Sequence, residues 1–175
     1  MQRLVSTKGK REKPSPSYRK TALKIALSAI VLIVILLNLF SYVFSVVQYY
    51  GNGMEPALQD RQILVIRKTD QAEQGDIIAC YFNNKILVRR VICEGGKVIA
   101  IDEAGLVSIN NVPLDEPYVE EPSIGQCNIT FPYSVSVGQY FVMGDNRSIA
   151  MDSRLSEIGT IPKDRILGKV IFVIG

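Results

Sequence analysis

Gly75-Asp76-Ile77-Ile78-Ala79-Cys80-Tyr81-Phe82-Asn83-Asn84-Lys85-Ile86-Leu87-Val88-Arg89-Arg90-Val91-Ile92 is the stretch on which the fold turns. One β-branched and aromatic run, Ile77 to Phe82, meets a second, Ile86 to Ile92, across Asn83-Asn84. Asparagine tolerates the positive φ that a two-residue turn requires, so the pattern predicts a β-hairpin. Outward from it, similar short runs recur. They are Ile63 to Ile66, Lys97 to Ile101 after Gly95-Gly96, Val107 to Ile109 ending at Asn110-Asn111, Tyr140 to Met143, and Gly168 to Ile174. Pro113, Pro117, Pro122 and Pro132 mark an irregular excursion from about Asn110 to Pro132. Short strands punctuated by Gly and Pro, with no long amphipathic helix among them, predict an all-β body of antiparallel sheets, a sandwich or a barrel.

Upstream, residues Ile25 to Val47 carry no charge. At 1.5 Å per residue such a helix crosses a hydrocarbon core of about 30 Å. A cleavable secretory signal has a shorter apolar region, roughly 7–15 residues, followed by small residues. Here Tyr42, Phe44, Val46, Val47, Tyr49 and Tyr50 follow instead, which predicts a retained anchor. The expected organisation is a tail over 1–24, a transmembrane helix over 25–47 and an extracytoplasmic body over 48–175. Before Ile25 there are eight basic residues and one acid, Glu12. Subtracting these from the chain's 20 basic and 17 acidic residues leaves 12 basic and 16 acidic. A polar tail of this kind is expected to be disordered. Beside an apolar span its charges read as topology signals rather than a nucleic-acid site, which places the N-terminus in the cytoplasm of a single-pass cell-membrane protein.

The chain has no histidine, which excludes Ser-His-Asp and Cys-His catalysis within it and removes the usual zinc spacings. Cys80, Cys93 and Cys127 allow one disulfide at most and read as small buried hydrophobes. No metal or cofactor is expected.

Three further stretches belong together: Gly51-Asn52-Gly53-Met54-Glu55-Pro56-Ala57-Leu58, Val88-Arg89-Arg90-Val91-Ile92, and Gly144-Asp145-Asn146-Arg147-Ser148-Ile149-Ala150-Met151-Asp152-Ser153-Arg154. In order and spacing, behind one apolar segment, they resemble the type I signal peptidase family, the membrane-bound S26 peptidases that remove signal peptides from exported proteins. Gly75-Asp76-Ile77-Ile78, Glu116-Pro117-Tyr118 and Gly168-Lys169-Val170 extend the resemblance to nearly everything from Gly51 onward. It implies a serine–lysine dyad, in which a serine hydroxyl attacks the scissile carbonyl and a neutral lysine amine takes its proton. The resemblance puts the nucleophile at Gly53, which has no side chain. It puts the base at Arg89, and a guanidinium stays protonated and cannot act as one. A second serine that orients the lysine corresponds to Ala150. Loss of members that act as a unit costs about a million-fold in rate.

The resemblance also implies that Met54, Leu58 and Val88 line the pocket for small substrate side chains. Ordinary core packing demands the same residue types. Asp145, Arg147, Asp152 and Arg154 read as an ion-pair network that ties a turn to the body. Arg89 is expected to meet a carboxylate, from a partner or from Asp145 or Asp152. Ser148 and Ser153 are spare hydroxyls, better suited to turn and network roles. Lys85 and Lys97 are spare amines, and Lys85 beside Asn83-Asn84 reads as exposed. The resulting expectation is a catalytically silent signal peptidase homologue at the outer face of a Gram-positive cell membrane. It would bind signal peptides or exported proteins, in surface-protein or pilus assembly. The alternatives are an active signal peptidase using non-standard residues and a tethered structural partner of an active one.

Overall fold

The computed structural model describes residues 16–175, with side chains from Tyr18 onward. The tail expected to be disordered lies outside the described residues as far as residue 15. From residue 16 the chain is already helical. Helix α1 runs Pro16–Val43, and proline's fixed φ suits a first helical turn. Over Tyr18–Val43 it is long and apolar enough to cross a membrane. Its polar side chains are satisfied within the helix: Ser28, Asn38 and Ser41 donate to the carbonyls of Ile25, Val34 and Asn38 at 2.8–2.9 Å. Such back-bonding removes the cost of carrying them in an apolar environment.

The helix ends four residues before the expected limit, because Phe44–Gln48 is strand β1. Val46 is exposed while Val47 packs on the core, an alternation with the period of a strand. The remaining strands are β2 (Ile63–Arg67), β3 (Ile77–Phe82), β4 (Lys85–Glu94), β5 (Val98–Ile101), β6 (Val107–Ile109), β7 (Val112–Pro113), β8 (Tyr133–Ser134), β9 (Gln139–Met143), β10 (Ile161–Pro162) and β11 (Ile166–Ile174). They form two antiparallel sheets, ordered β1-β2-β11-β3-β4-β9-β10 and β7-β6-β5-β8. The expected all-β body is present. The predicted hairpin is β3–β4, with Phe82 opposite Lys85 and φ of 47° and 58° at Asn83 and Asn84.

Strand β4 joins the parts of the core. Val88 packs with Tyr49, Met54, Leu58, Leu64, Ile66 and Ala79. Val91 packs with Ile78, Cys80 and Val142. Ile92 and Cys93 both pack beneath the smaller sheet with Ile99, Phe141 and Met143. Two adjacent residues share that cluster because the β4–β9 register shifts between Val91 and Cys93, as a bulge does. The pairing of β4 is also uneven along its length. Strand β3 covers Lys85 to Arg90, but β9 covers only Arg90 to Glu94. On the edge away from β3, no strand among the described residues pairs with Lys85–Arg89.

All three thiols are free. Cys80 and Cys93 are buried small hydrophobes, as expected, whereas Cys127 is half-buried. Burial pushes the Cys80 thiol up to about 12 and the Cys93 thiol up to about 11.

Candidate active site

The turn that follows β1 is wound tightly. Leu58 N–H donates to the Met54 carbonyl at 2.9 Å and Glu55 N–H to the Asn52 carbonyl at 3.2 Å. Met54 N–H donates to the Tyr49 hydroxyl at 3.1 Å. These bonds send the Met54 and Leu58 side chains into the core and leave the Gly53 backbone facing β4 and Gly144. The Gly53 carbonyl accepts from Asn146 N–H at 3.2 Å. Gly144 is required by close approach: a Cβ there would stand 2.2 Å from the Gly53 oxygen and 2.3 Å from the Ala150 Cβ. The fold therefore brings Gly53, Gly144 and Ala150 into one contact, although they are far apart in sequence.

Arg89 completes this group. A side-chain carbon on Gly53 would lie 3.1 Å from Arg89 Nη2 and 3.4 Å from Cζ and Nη1. A side chain at position 53 would therefore be in close contact with the guanidinium, which would have to shift by a few tenths of an ångström to admit it. Its Nε donates to the Met151 carbonyl at 2.9 Å and Nη1 to the Val88 carbonyl at 2.7 Å. Burial raises the Tyr49 phenol above its ordinary value, with the Arg89 charge pulling the other way. Arg89 is only 8% exposed.

The expected intramolecular carboxylate for Arg89 is not there, because both acids are already matched. Asp145 pairs with Arg90, and Asp152 with Arg154 at 2.7 Å. Among the described residues no carboxylate comes within ion-pair distance of Arg89. Asp145, Arg147, Asp152 and Arg154 do form a buried network, and it includes two members that the sequence reading did not assign to it. Arg90 donates through Nε to Asp145 at 2.8 Å and stacks its guanidinium 4.0 Å from the Tyr118 ring centroid. Glu116 receives both terminal nitrogens of Arg147, at 3.0 and 2.6 Å. Arg154 also donates to the carbonyls of Ile124 and Arg147 at 2.8 and 2.9 Å. Asp152 in turn accepts from Gly144 N–H at 3.0 Å, so the network fixes the glycine that Gly53 rests on. Burial raises the Asp145 carboxyl above its ordinary value against the pull of Arg90. Burial and then Glu116 raise the Tyr118 phenol. The motif Glu116-Pro117-Tyr118 was visible in the sequence, but nothing local joins it to Arg90 and Arg147.

The spare groups stand where their neighbours suggested. Ser153 is buried and its oxygen accepts from Val142 N–H at 3.0 Å. Ser148 is exposed and donates to the Asn146 side chain at 3.0 Å. Lys85 is exposed at the hairpin turn, and Lys97 pairs with Glu94 at 3.3 Å. Of the three residues expected at a pocket wall, Met54 and Leu58 are fully buried, so their place here is core. Their turn folds them inward against Tyr49 and Val88. Val88 alone also reaches a cleft. That cleft, about 140 Å³, is lined by Gln48, Tyr49, Tyr50, Ile86, Leu87, Val88 and Arg89. A second cleft of about 360 Å³ shares Ile86, Leu87 and Arg89 and adds Phe82, Met151 and Ile158. The two meet along the open edge of β4.

Residues 22–174 match the family model described as signal peptidase, peptidase S26. Signal peptidase I T of Bacillus subtilis (strain 168) is 29% identical over 175 residues, covering 93% of this chain and 90% of that protein. Signal peptidase I P of Bacillus subtilis subsp. natto is 35% identical over 159 residues, covering 83% and 84%. A crystal structure of a signal peptidase I from Enterococcus faecalis V583 has 26% identity and a TM-score of 0.49, covering 58% of this chain and 97% of that one.

Proposed function

The chain belongs to the signal peptidase family, peptidase S26, and from that premise we propose that it is a non-cleaving member that holds exported chains or their signal peptides. One observation carries the reading: position 53 has no side chain, and the guanidinium of Arg89 stands 3.1–3.4 Å from where its Cβ would be. Position 53 offers no oxygen, and position 89 offers a donor rather than a proton acceptor. Neither spare serine replaces the missing chemistry. Ser153 is committed to Val142 N–H inside the body, and Ser148 is on the surface with Asn146. Without a nucleophile and a base there is no acyl-enzyme to form.

Peptide holding needs neither. The two-residue turn puts Lys85 in a hydrogen-bonded pair with Phe82, so Ile86 and Val88 direct their backbone groups away from β3. No strand of the described residues pairs with that edge, and although the Val88 carbonyl already accepts from Arg89 Nη1, an extended peptide can add to it as a strand through the Ile86 backbone and the Val88 N–H. Side chains on the added strand alternate between faces, and a cleft lies on either side. In this reading α1 anchors the protein with its N-terminus in the cytoplasm. The body then stands at the outer face of a Gram-positive cell membrane, where surface-protein or pilus subunits emerge.

The test uses full-length protein in nanodiscs and a fluorescent peptide copied from a signal-peptide cleavage region, followed by anisotropy. Saturable binding is expected, and it is lost in Ile86→Pro. Proline at an open edge removes only an unpaired N–H and leaves the fold intact. Absence of binding, or binding unaffected by Ile86→Pro in a variant with unchanged Tm, would overturn peptide holding at this edge.

A further inference from the structure

We infer that the open edge of β4 receives a peptide that ends there, with its terminal carboxylate held by Arg89. This rests on the peptide-holding reading above and names the part of the chain that is held. The geometry has three components.

The first is the unmatched charge. Arg89 is more than nine-tenths buried, its stem and guanidinium are fixed by the Met151 and Val88 carbonyls, and no carboxylate of the described residues pairs with it. The neighbouring arginines differ. Arg90, Arg147 and Arg154 each hold an acid: Asp145, Glu116 and Asp152. A guanidinium carries five N–H donors in a planar fork suited to a carboxylate. Two carbonyls account for two of them, which leaves donor capacity on Nη2, the guanidinium atom nearest Gly53.

The second is where the edge stops. An added strand can follow β4 along Lys85 to Val88. At Arg90 the same edge is taken by β9, with Met143 opposite. A peptide lying along the edge therefore meets β9 one residue beyond Arg89 and cannot continue in register. A chain added parallel to β4 that ends at that point needs no bend, and its terminal carboxylate falls beside the guanidinium, whereas antiparallel addition would place that carboxylate at the Lys85 end.

The third is the local composition of the clefts. Ile86 and Leu87 line both; Phe82, Met151 and Ile158 line the larger with Lys85 at its hairpin end, and Gln48, Tyr49 and Tyr50 add polar groups to the smaller. The ligand that matches is a carboxylate attached to an extended segment with apolar side chains. An aspartate side chain inside a longer peptide would supply the same group, so the experiment separates the two sources.

Three versions of one apolar heptapeptide are titrated against the full-length protein in nanodiscs at pH 7. The first has a free C-terminus, the second a C-terminal amide, and the third an amide with aspartate as the last residue. The free acid is expected to bind about tenfold more tightly than the plain amide, the scale of one charge-assisted contact. In Arg89→Leu the free acid should fall to the affinity of the amide. Arg89→Gln, which keeps a donor but no charge, should do the same. The circular dichroism spectrum and Tm of both variants establish that they are folded. Added salt should narrow the difference between acid and amide.

Equal binding of free acid and amide by the wild-type protein would overturn the inference while leaving peptide holding in place. So would a preference for the acid that persists in Arg89→Gln. Tighter binding of the aspartyl amide than of the free acid would overturn the assignment to a chain end. Failure of all three peptides to bind would remove both this inference and the reading it rests on.

Discussion

Arg154 and Arg89 lie in the same small region and are built in opposite ways. Arg154 is sealed from solvent, with Nε and Nη2 on Asp152 at 2.8 and 2.7 Å and Nη1 on two backbone carbonyls. Its charge is neutralised within the fold, and Asp152 passes the constraint on to Gly144. Arg89 is nearly as buried but has backbone carbonyl partners only. The difference separates two jobs within one site. The segment from Gly144 to Arg154 is tied down by its own ion pair and the bond from Gly144 N–H to Asp152, whereas the Arg89 guanidinium lies beside Gly53 with no carboxylate of the described residues on it.

Substitution should expose that difference in energy. The largest loss is expected for Arg154→Leu, which strands a buried Asp152. A cost of about 3–5 kcal/mol is expected for breaking a buried pair from one side, read from urea unfolding as a lowered midpoint at unchanged slope. A cost below about 1 kcal/mol would mean that the network is not what holds Gly144. Gly53→Ser comes next. The added side chain presses on the guanidinium, and about 1–2 kcal/mol is expected for crowding a packed site. Combining it with Arg89→Lys should recover about 1 kcal/mol as a coupling between neighbours. Additive effects would show that the two positions do not share space. Arg89→Leu is expected to change stability by less than about 1 kcal/mol, because it removes a desolvated charge without stranding a carboxylate.

The smallest effects concern the thiols. At pH 8 a thiol reagent should modify Cys127 alone in the folded protein, because it is the half-buried one. Cys80 and Cys93, raised to about 12 and about 11, should react only after unfolding. Their folded values lie above the unfolded value, so their contribution to stability is complete below about pH 9 and is lost as pH rises towards 11–12. The urea midpoint should therefore fall across that window, and less steeply in Cys80→Ala. A midpoint that rises there would contradict the burial assigned to these groups.

Much of the body was legible locally. Asn83-Asn84 announces its turn, and β2, β3, β4 and β9 are apolar runs of strand length. Strand β1 was not legible, because Phe44 to Val47 continues the apolar run of α1 without a charge or glycine to break it. β8 and β10 are too short to leave a pattern. The site divides in the same way. Gly53, Arg89 and Ala150 were singled out by the motifs that flank them, and the fold sets Gly53 beside Arg89 and Gly144 against Ala150. The missing carboxylate for Arg89 could not be foreseen. An inventory of charges does not reveal that Asp145 belongs to Arg90 and Asp152 to Arg154, pairings made by strand register and a folded loop. Nor does sequence distinguish the buried Met54 and Leu58 from the wall-forming Val88, since all three are simply apolar.

Incubation of the purified full-length protein with a signal-peptide substrate, followed by mass spectrometry of the peptide, tests the central claim most directly. A signal peptidase I relative retaining serine and lysine serves as the positive control. The account predicts that the control cuts the substrate while this protein leaves it intact at every protein concentration and pH tried. Cleavage that rises in proportion to the protein and disappears in Ser148→Ala or Ser153→Ala would contradict it.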